Sequence, residues 1–173
     1  MTILDKIIHR KIEEVAERKL QVSVKELEMH GYFAKITNSL KTSLLNPASS
    51  GIIAEFKRKS PSKGIINANV TPEEVTRGYV QAGAACLSVL TDIDFFGGSD
   101  DDFLRARKAN PSIPMIRKDF MIDEYQIIES KALGADVILL IAANLSPQRI
   151  KELGKLTKDL GMETLLEIHD EDE

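Results

Sequence analysis

Gly134-Ala-Asp-Val-Ile-Leu-Leu-Ile141 joins a helix stop to an unbroken apolar run with almost no loop between them. Glycine ends helices because it enters the left-handed region without a Cβ clash. Val137–Ile141 shows no polar alternation, as expected of a strand covered on both faces. The same join recurs at Gly83-Ala84-Ala85 ahead of Cys86–Leu90, and at Gly161-Met162-Glu163 ahead of the run that ends at Ile168. Two more short apolar runs, Gly51–Phe56 and Ile113–Ile116, share this rhythm.

Amphipathic segments fill the intervals: Pro72–Ala82, Asp100–Ala109, Asp123–Leu133 and Ser146–Leu160. Thr71-Pro72-Glu73-Glu74 and Ser146-Pro147 read as helix starts, each a capping hydroxyl followed by proline at the first helical position. Strict alternation of strand and helix implies parallel strands joined by helical crossovers. A doubly wound open sheet and part of an eight-fold β/α barrel both satisfy that pattern, and periodicity alone does not choose between them.

Ahead of Gly51 the pattern is helical. Ile3, Leu4, Ile7, Ile8, Ile12 and Val15 recur at helical spacing within a stretch over residues 2–30, and Gly31 is a plausible break. A weaker helical stretch runs to about Leu45, and 46–50 (Asn-Pro-Ala-Ser-Ser) reads as a loop. The expected division is therefore a helical extension over residues 1–50 and a strand–helix domain over 51–173. The terminal 170–173 (Asp-Glu-Asp-Glu) reads as the start of a further helix.

The chain has 173 residues, 43% hydrophobic and 29% charged, with a net charge of −4. That length supports one domain with a real core, and the acidic balance argues against a nucleic-acid partner. The basic stretch from Lys57 to Lys63 directly follows an apolar run in this acidic context, so it is not read as a nucleic-acid patch. A lone cysteine, Cys86, permits no internal disulfide and fits a reducing compartment; it reads as a small core residue. No run approaches the about 18 apolar residues of a membrane span, and the start lacks a basic-then-apolar leader. The expected setting is cytoplasmic. His9, His30 and His169 lack ligand spacing, so no metal is expected, and no dinucleotide or phosphate-loop fingerprint is present.

Three apolar runs end in ionisable residues. Glu55 and Lys57 are two apart and share a strand face with Ile53; Lys118 shares a face with Ile116, while Arg117 points the other way; Glu167 shares a face with Leu165. If those faces turn into a barrel, two lysines and two glutamates converge at its carboxyl-terminal mouth, where barrel enzymes place their chemistry. Each alone reads more readily as a solvated loop charge or a structural ion pair, and the repetition at three strand ends brings the functional reading level with that one.

With those residues in view, the chain resembles the indole-3-glycerol-phosphate synthase family over its whole length. The carriers are Ile53-Ala-Glu-Phe-Lys-Arg-Lys-Ser-Pro-Ser-Lys-Gly64, Leu87-Ser-Val-Leu-Thr-Asp92 with Phe95-Phe-Gly-Gly-Ser99, Ile116-Arg-Lys-Asp-Phe120, Gly134–Ile141 and Leu165-Leu-Glu-Ile-His169. The resemblance implies a (β/α)8 TIM barrel, here a (β/α)4-β portion with extra amino-terminal helices. It also implies cofactor-free ring closure of 1-(2-carboxyphenylamino)-1-deoxyribulose 5-phosphate, with loss of carbon dioxide and water. By the same resemblance Lys118 is the general acid, and Lys57 holds the anthranilate carboxylate or serves as a second acid. Glu167 moves a proton in the dehydration, and Glu55 supports the lysines. Ser60 lies near phosphate, and Phe96, Phe120, Leu139 and Ile141 line the slot for the aromatic ring.

A barrel of this kind typically needs ~250 residues. The expectation is that three strand–helix units, with an Asn, a Glu-Ser pair and the main phosphate loops, lie outside this sequence. Two readings follow: an enzyme whose remainder is supplied elsewhere, or an inactive half-barrel fragment that self-associates through open sheet edges.

Overall fold

The structure, a computed structural model, describes residues 2–171. Helix α1 (Ile3–Gln21) starts at a reciprocal cap between Thr2 and Asp5 and buries Ile7, Lys11 and Val15, spaced four apart on one face. Helix α2 (Val24–Glu28) follows at once, capped by Ser23 and Glu26. A first break falls at 22–23, where Ser23 opens a new capping box, and α2 ends ahead of Gly31, where a break is expected. Residues 35–39 are extended, not helical. Asn38 donates its backbone N–H to Asp136 (2.8 Å) and its side-chain amide to the Pro111 and Ile113 carbonyls, which pins the chain out of a helix. Helix α3 (Leu40–Leu45) then starts on Ser39.

Strand β1 (Ile53–Phe56) leads into a short hairpin of β2 (Lys59–Ser60) and β3 (Gly64–Ile65), which has no apolar signature in the sequence. Then come α4 (Pro72–Gln81), β4 (Cys86–Leu90), α5 (Asp100–Ala109), β5 (Met115–Lys118), α6 (Glu124–Leu133), β6 (Val137–Ile141), α7 (Pro147–Asp159) and β7 (Glu163–Glu167). Thr71 and Ser146 cap α4 and α7 through their hydroxyls, with proline inside each start. Gly134 takes a φ of 88° at its helix–strand join, and Gly83 and Gly161 do likewise. β5 begins two residues later than expected, after Pro114, so Lys118 belongs to the strand itself. The helix start expected at 170–173 lies partly outside the described residues.

The main sheet has the order β1-β4-β5-β6-β7, all parallel. A doubly wound sheet reverses its strand order at a switch point. Here spatial order follows chain order throughout, as in a barrel wall. The two faces divide accordingly. Leu87, Val89, Met115, Ile138 and Leu140 pack outward against Phe103, Ala106, Ile127 and Leu153 from the helices. Cys86, Ile116, Val137, Leu139 and Ile141 form the inner face, with Ile53, Leu165 and Phe120 packed against them.

Leu40 of α3 joins that inner cluster at the amino-terminal ends of the strands. Ser43 donates to the Ala85 carbonyl at 2.6 Å, and Ser39 donates to Glu163 at 2.5 Å, which stitches α3 across the floor of the barrel. Among the described residues, no helix is long and apolar enough to cross a membrane.

Candidate active site

The strand pleat decides which charges meet. On β5, Met115 and Arg117 face the helices, so Ile116 and Lys118 face inward. On β7 the same parity puts Leu165 and Glu167 inside. The Lys118 ammonium donates to Glu167 Oε2 at 3.0 Å across the carboxyl-terminal mouth. On β1, Glu55 accepts from Lys57 Nζ at 3.1 Å and from the Ser88 hydroxyl of β4 at 3.4 Å. All four charged side chains are about one-third exposed, accessible yet partly desolvated.

A cleft of about 340 Å³ carries Glu55, Ser88, Lys118 and Glu167 on its walls. Ile53, Ile116, Leu139 and Leu165 make its apolar floor. Lys57 does not line this cleft. It borders a second depression beside the free side of β1, with Tyr79 and Val70, and reaches the cleft only through Glu55. Ile141 is buried in the inner cluster and sits in register with Glu167.

Phe96 and Phe120 come together above this region, their ring centroids 6.0 Å apart at 38°. Phe96 belongs to a tight turn after β4 whose return passes directly over the strand. A Cβ at Gly98 would lie 2.2 Å from the Leu90 carbonyl oxygen, so only glycine allows the approach. Ser60 sits apart in the β2–β3 hairpin, its hydroxyl engaged with Ser62 and the Lys63 N–H. Lys59 ties that hairpin to the turn after β4, donating its N–H to the Phe96 carbonyl and its ammonium to that of Asp94.

Behind the mouth lies an ionic network that the sequence reading did not assemble. Arg117 is fully buried and donates to Glu129 at 2.8 Å, Asp100 at 3.1 Å and Thr91 at 3.0 Å. Lys11, only 1% exposed, pairs with Glu14 (2.7 Å), Asp119 (2.9 Å) and Asp92 (3.0 Å). Arg18 closes the network onto Glu14, Glu129 and Asp100. Burial works against the Lys11 ammonium, but Asp119, Asp92 and Glu14 outweigh it and raise its pKa above the ordinary lysine value. Burial also penalises the Asp119 carboxylate, yet Lys11 and Arg117 hold its pKa below the usual range. A signal was available: an arginine on the helix-covered face of a strand is forced to find carboxylates.

Parallel strands in chain order, with helices on one face and a lysine–carboxylate cleft at the strand ends, mark a protein of the β/α-barrel class. A family model for indole-3-glycerol phosphate synthase matches residues 4–173, and the chain belongs to that family. The family is one of TIM-barrel carboxy-lyases of tryptophan biosynthesis that bind a phosphorylated substrate.

Proposed function

We propose that this chain carries the acid–base machinery for ring closure of 1-(2-carboxyphenylamino)-1-deoxyribulose 5-phosphate, with decarboxylation and dehydration to indole glycerol phosphate. The observation that carries this is the Lys118–Glu167 pair at 3.0 Å over an apolar floor. An ammonium has three donors, so Lys118 keeps protons for a substrate carbonyl while one bonds Glu167. Protonating that oxygen lets the aromatic carbon bearing the carboxylate form the new carbon–carbon bond. Loss of carbon dioxide returns a bonding pair to the ring, favoured by apolar surroundings. Glu167 then takes the proton of the neighbouring ring carbon and delivers it to the hydroxyl, which leaves as water.

Glu55 supports the cationic side of the cleft, and Lys57, reaching it through Glu55, holds the substrate carboxylate or serves as a second acid. Phe96 and Phe120, with Leu139 and Ile141, flank the aromatic ring, and Ser60 serves the phosphate. Membership of a biosynthetic family supports a cytoplasmic setting. The test is formation of indole glycerol phosphate by the protein that carries this chain. Loss of product with Lys118→Met or Glu167→Gln is the expected result, and product formation that survives Lys118→Met rules the assignment out.

A second reading concerns a polypeptide limited to these residues. Among the described residues, β1 and β7 each pair on one side only in the main sheet, and Ile52, Leu166 and Ile168 are more than 40% exposed beside those edges. Unpaired backbone next to apolar surface favours strand addition. Such a polypeptide is expected to self-associate and to form no product. A monodisperse monomer by light scattering, or turnover by the fragment alone, excludes this reading.

A further inference from the structure

We propose that Lys11, on the amino-terminal helix α1, is a positioning residue that sets the spacing between the Phe96 and Phe120 rings. The inference rests on the reading that these two rings flank the aromatic part of the substrate.

The path is short. The Lys11 ammonium bridges Asp92 at 3.0 Å and Asp119 at 2.9 Å, and all three side chains are at most 2% exposed. Asp92 lies just past β4, and its other oxygen accepts the backbone N–H groups of Phe95 (2.8 Å) and Phe96 (3.1 Å). Asp119 follows β5 and accepts the N–H of Phe120 at 2.8 Å. Asp92 thus holds the backbone of Phe96 and its neighbour Phe95, Asp119 holds that of Phe120, and one buried cation bridges both carboxylates. Thr91 braces the arrangement by donating to Asp119 at 2.6 Å. Asp119 also follows Lys118 directly, so the same anchor fixes the end of the strand that presents the proposed acid.

If Lys11 served stability alone, its loss would loosen the molecule without preference for these rings. A two-loop bridge instead predicts a local change confined to the two turns it spans. Geometry this close to a reacting group matters, because small misplacements are costly in rate.

The experiment is fluorine NMR of the whole chain with para-fluorophenylalanine at its six phenylalanine positions, each signal assigned by Phe→Leu substitution. In Lys11→Met, the Phe96 and Phe120 signals are expected to shift together while Phe33 and Phe103 stay in place. Unmoved Phe96 and Phe120 signals in a cooperatively melting variant overturn the proposal, as does a uniform shift of every signal. Asp92→Asn covers the case in which Lys11→Met does not fold. Asparagine retains an oxygen for the Phe95 and Phe96 amides but weakens the hold on the ammonium. The Phe120 signal, in the other turn, is then expected to move; if only Phe95 and Phe96 respond, the proposal fails. Turnover by the protein that carries this chain, measured for the same variants, separates the two claims. Rings that move with no change in KM or kcat leave the positioning role standing and sink the substrate-slot reading.

Discussion

Lys118 and Glu167 are partly exposed partners whose pairing is expected to matter little for stability and, on the proposed function, a great deal for chemistry. Exposed ion pairs contribute about 0–1 kcal/mol, so Lys118→Met and Glu167→Gln are expected to leave the thermal midpoint nearly unchanged. Removal of a positioned general acid or base costs about 10²–10⁴-fold in rate, and a loss of that size in kcat/KM is expected for each, read as product formation. A variant that unfolds instead of losing rate argues for a structural pair. The facing of these two residues was legible in the sequence, because Ile116 and Leu165 mark the inner face by parity. The position of Lys57 was not. It lies just past β1, where the pleat no longer dictates direction, and it borders the depression with Val70 and Tyr79.

At the scale of elements, α1 is held to the barrel by a buried ionic anchor as well as by Ile7 and Val15 of its apolar stripe. Ile3 and Ile12 are more than half exposed, whereas Lys11 is buried among three carboxylates. Removing one partner of such a buried cluster costs about 3–5 kcal/mol, since the others are left uncompensated. The docking also has a pH window. The Asp119 pKa is depressed below 3.8, so its contribution is complete above that value and fades as pH falls through the folded-state pKa. The Lys11 pKa is raised above 10.5, so its contribution is complete below that value and fades as pH climbs through the folded-state pKa. Hydrogen exchange should therefore show α1 amides losing protection in acid below this window while β6 amides keep theirs. Simultaneous loss from both elements means the network is not what holds α1. The α1 helix itself was readable from spacing; the role of Lys11 was not, because an apolar stripe interrupted by a lysine reads as a polar gap.

For the whole molecule, alternation of strands and helices was plain from the glycine joins and the apolar runs. The choice of barrel over doubly wound sheet needed spatial order, which no local pattern encodes. The extended segment 35–39 escaped for a related reason. Its conformation is set by hydrogen bonds to Asp136 and to carbonyls some 73 or more positions away. The β2–β3 hairpin is only two residues per strand and carries no alternation to find.

Cys86 sits on the inner face near the floor closed by Leu40, wholly covered, and burial pushes its thiol up to about 12. A sulfhydryl held there stays protonated and out of reach of reagents at neutral pH. It therefore serves as a native clock for breathing of the barrel base. Modification by Ellman's reagent should follow the opening of that base, and loosening the plug with Leu40→Ala should speed it. Equal labelling rates in the two proteins would mean the sulfur is reached by some other route.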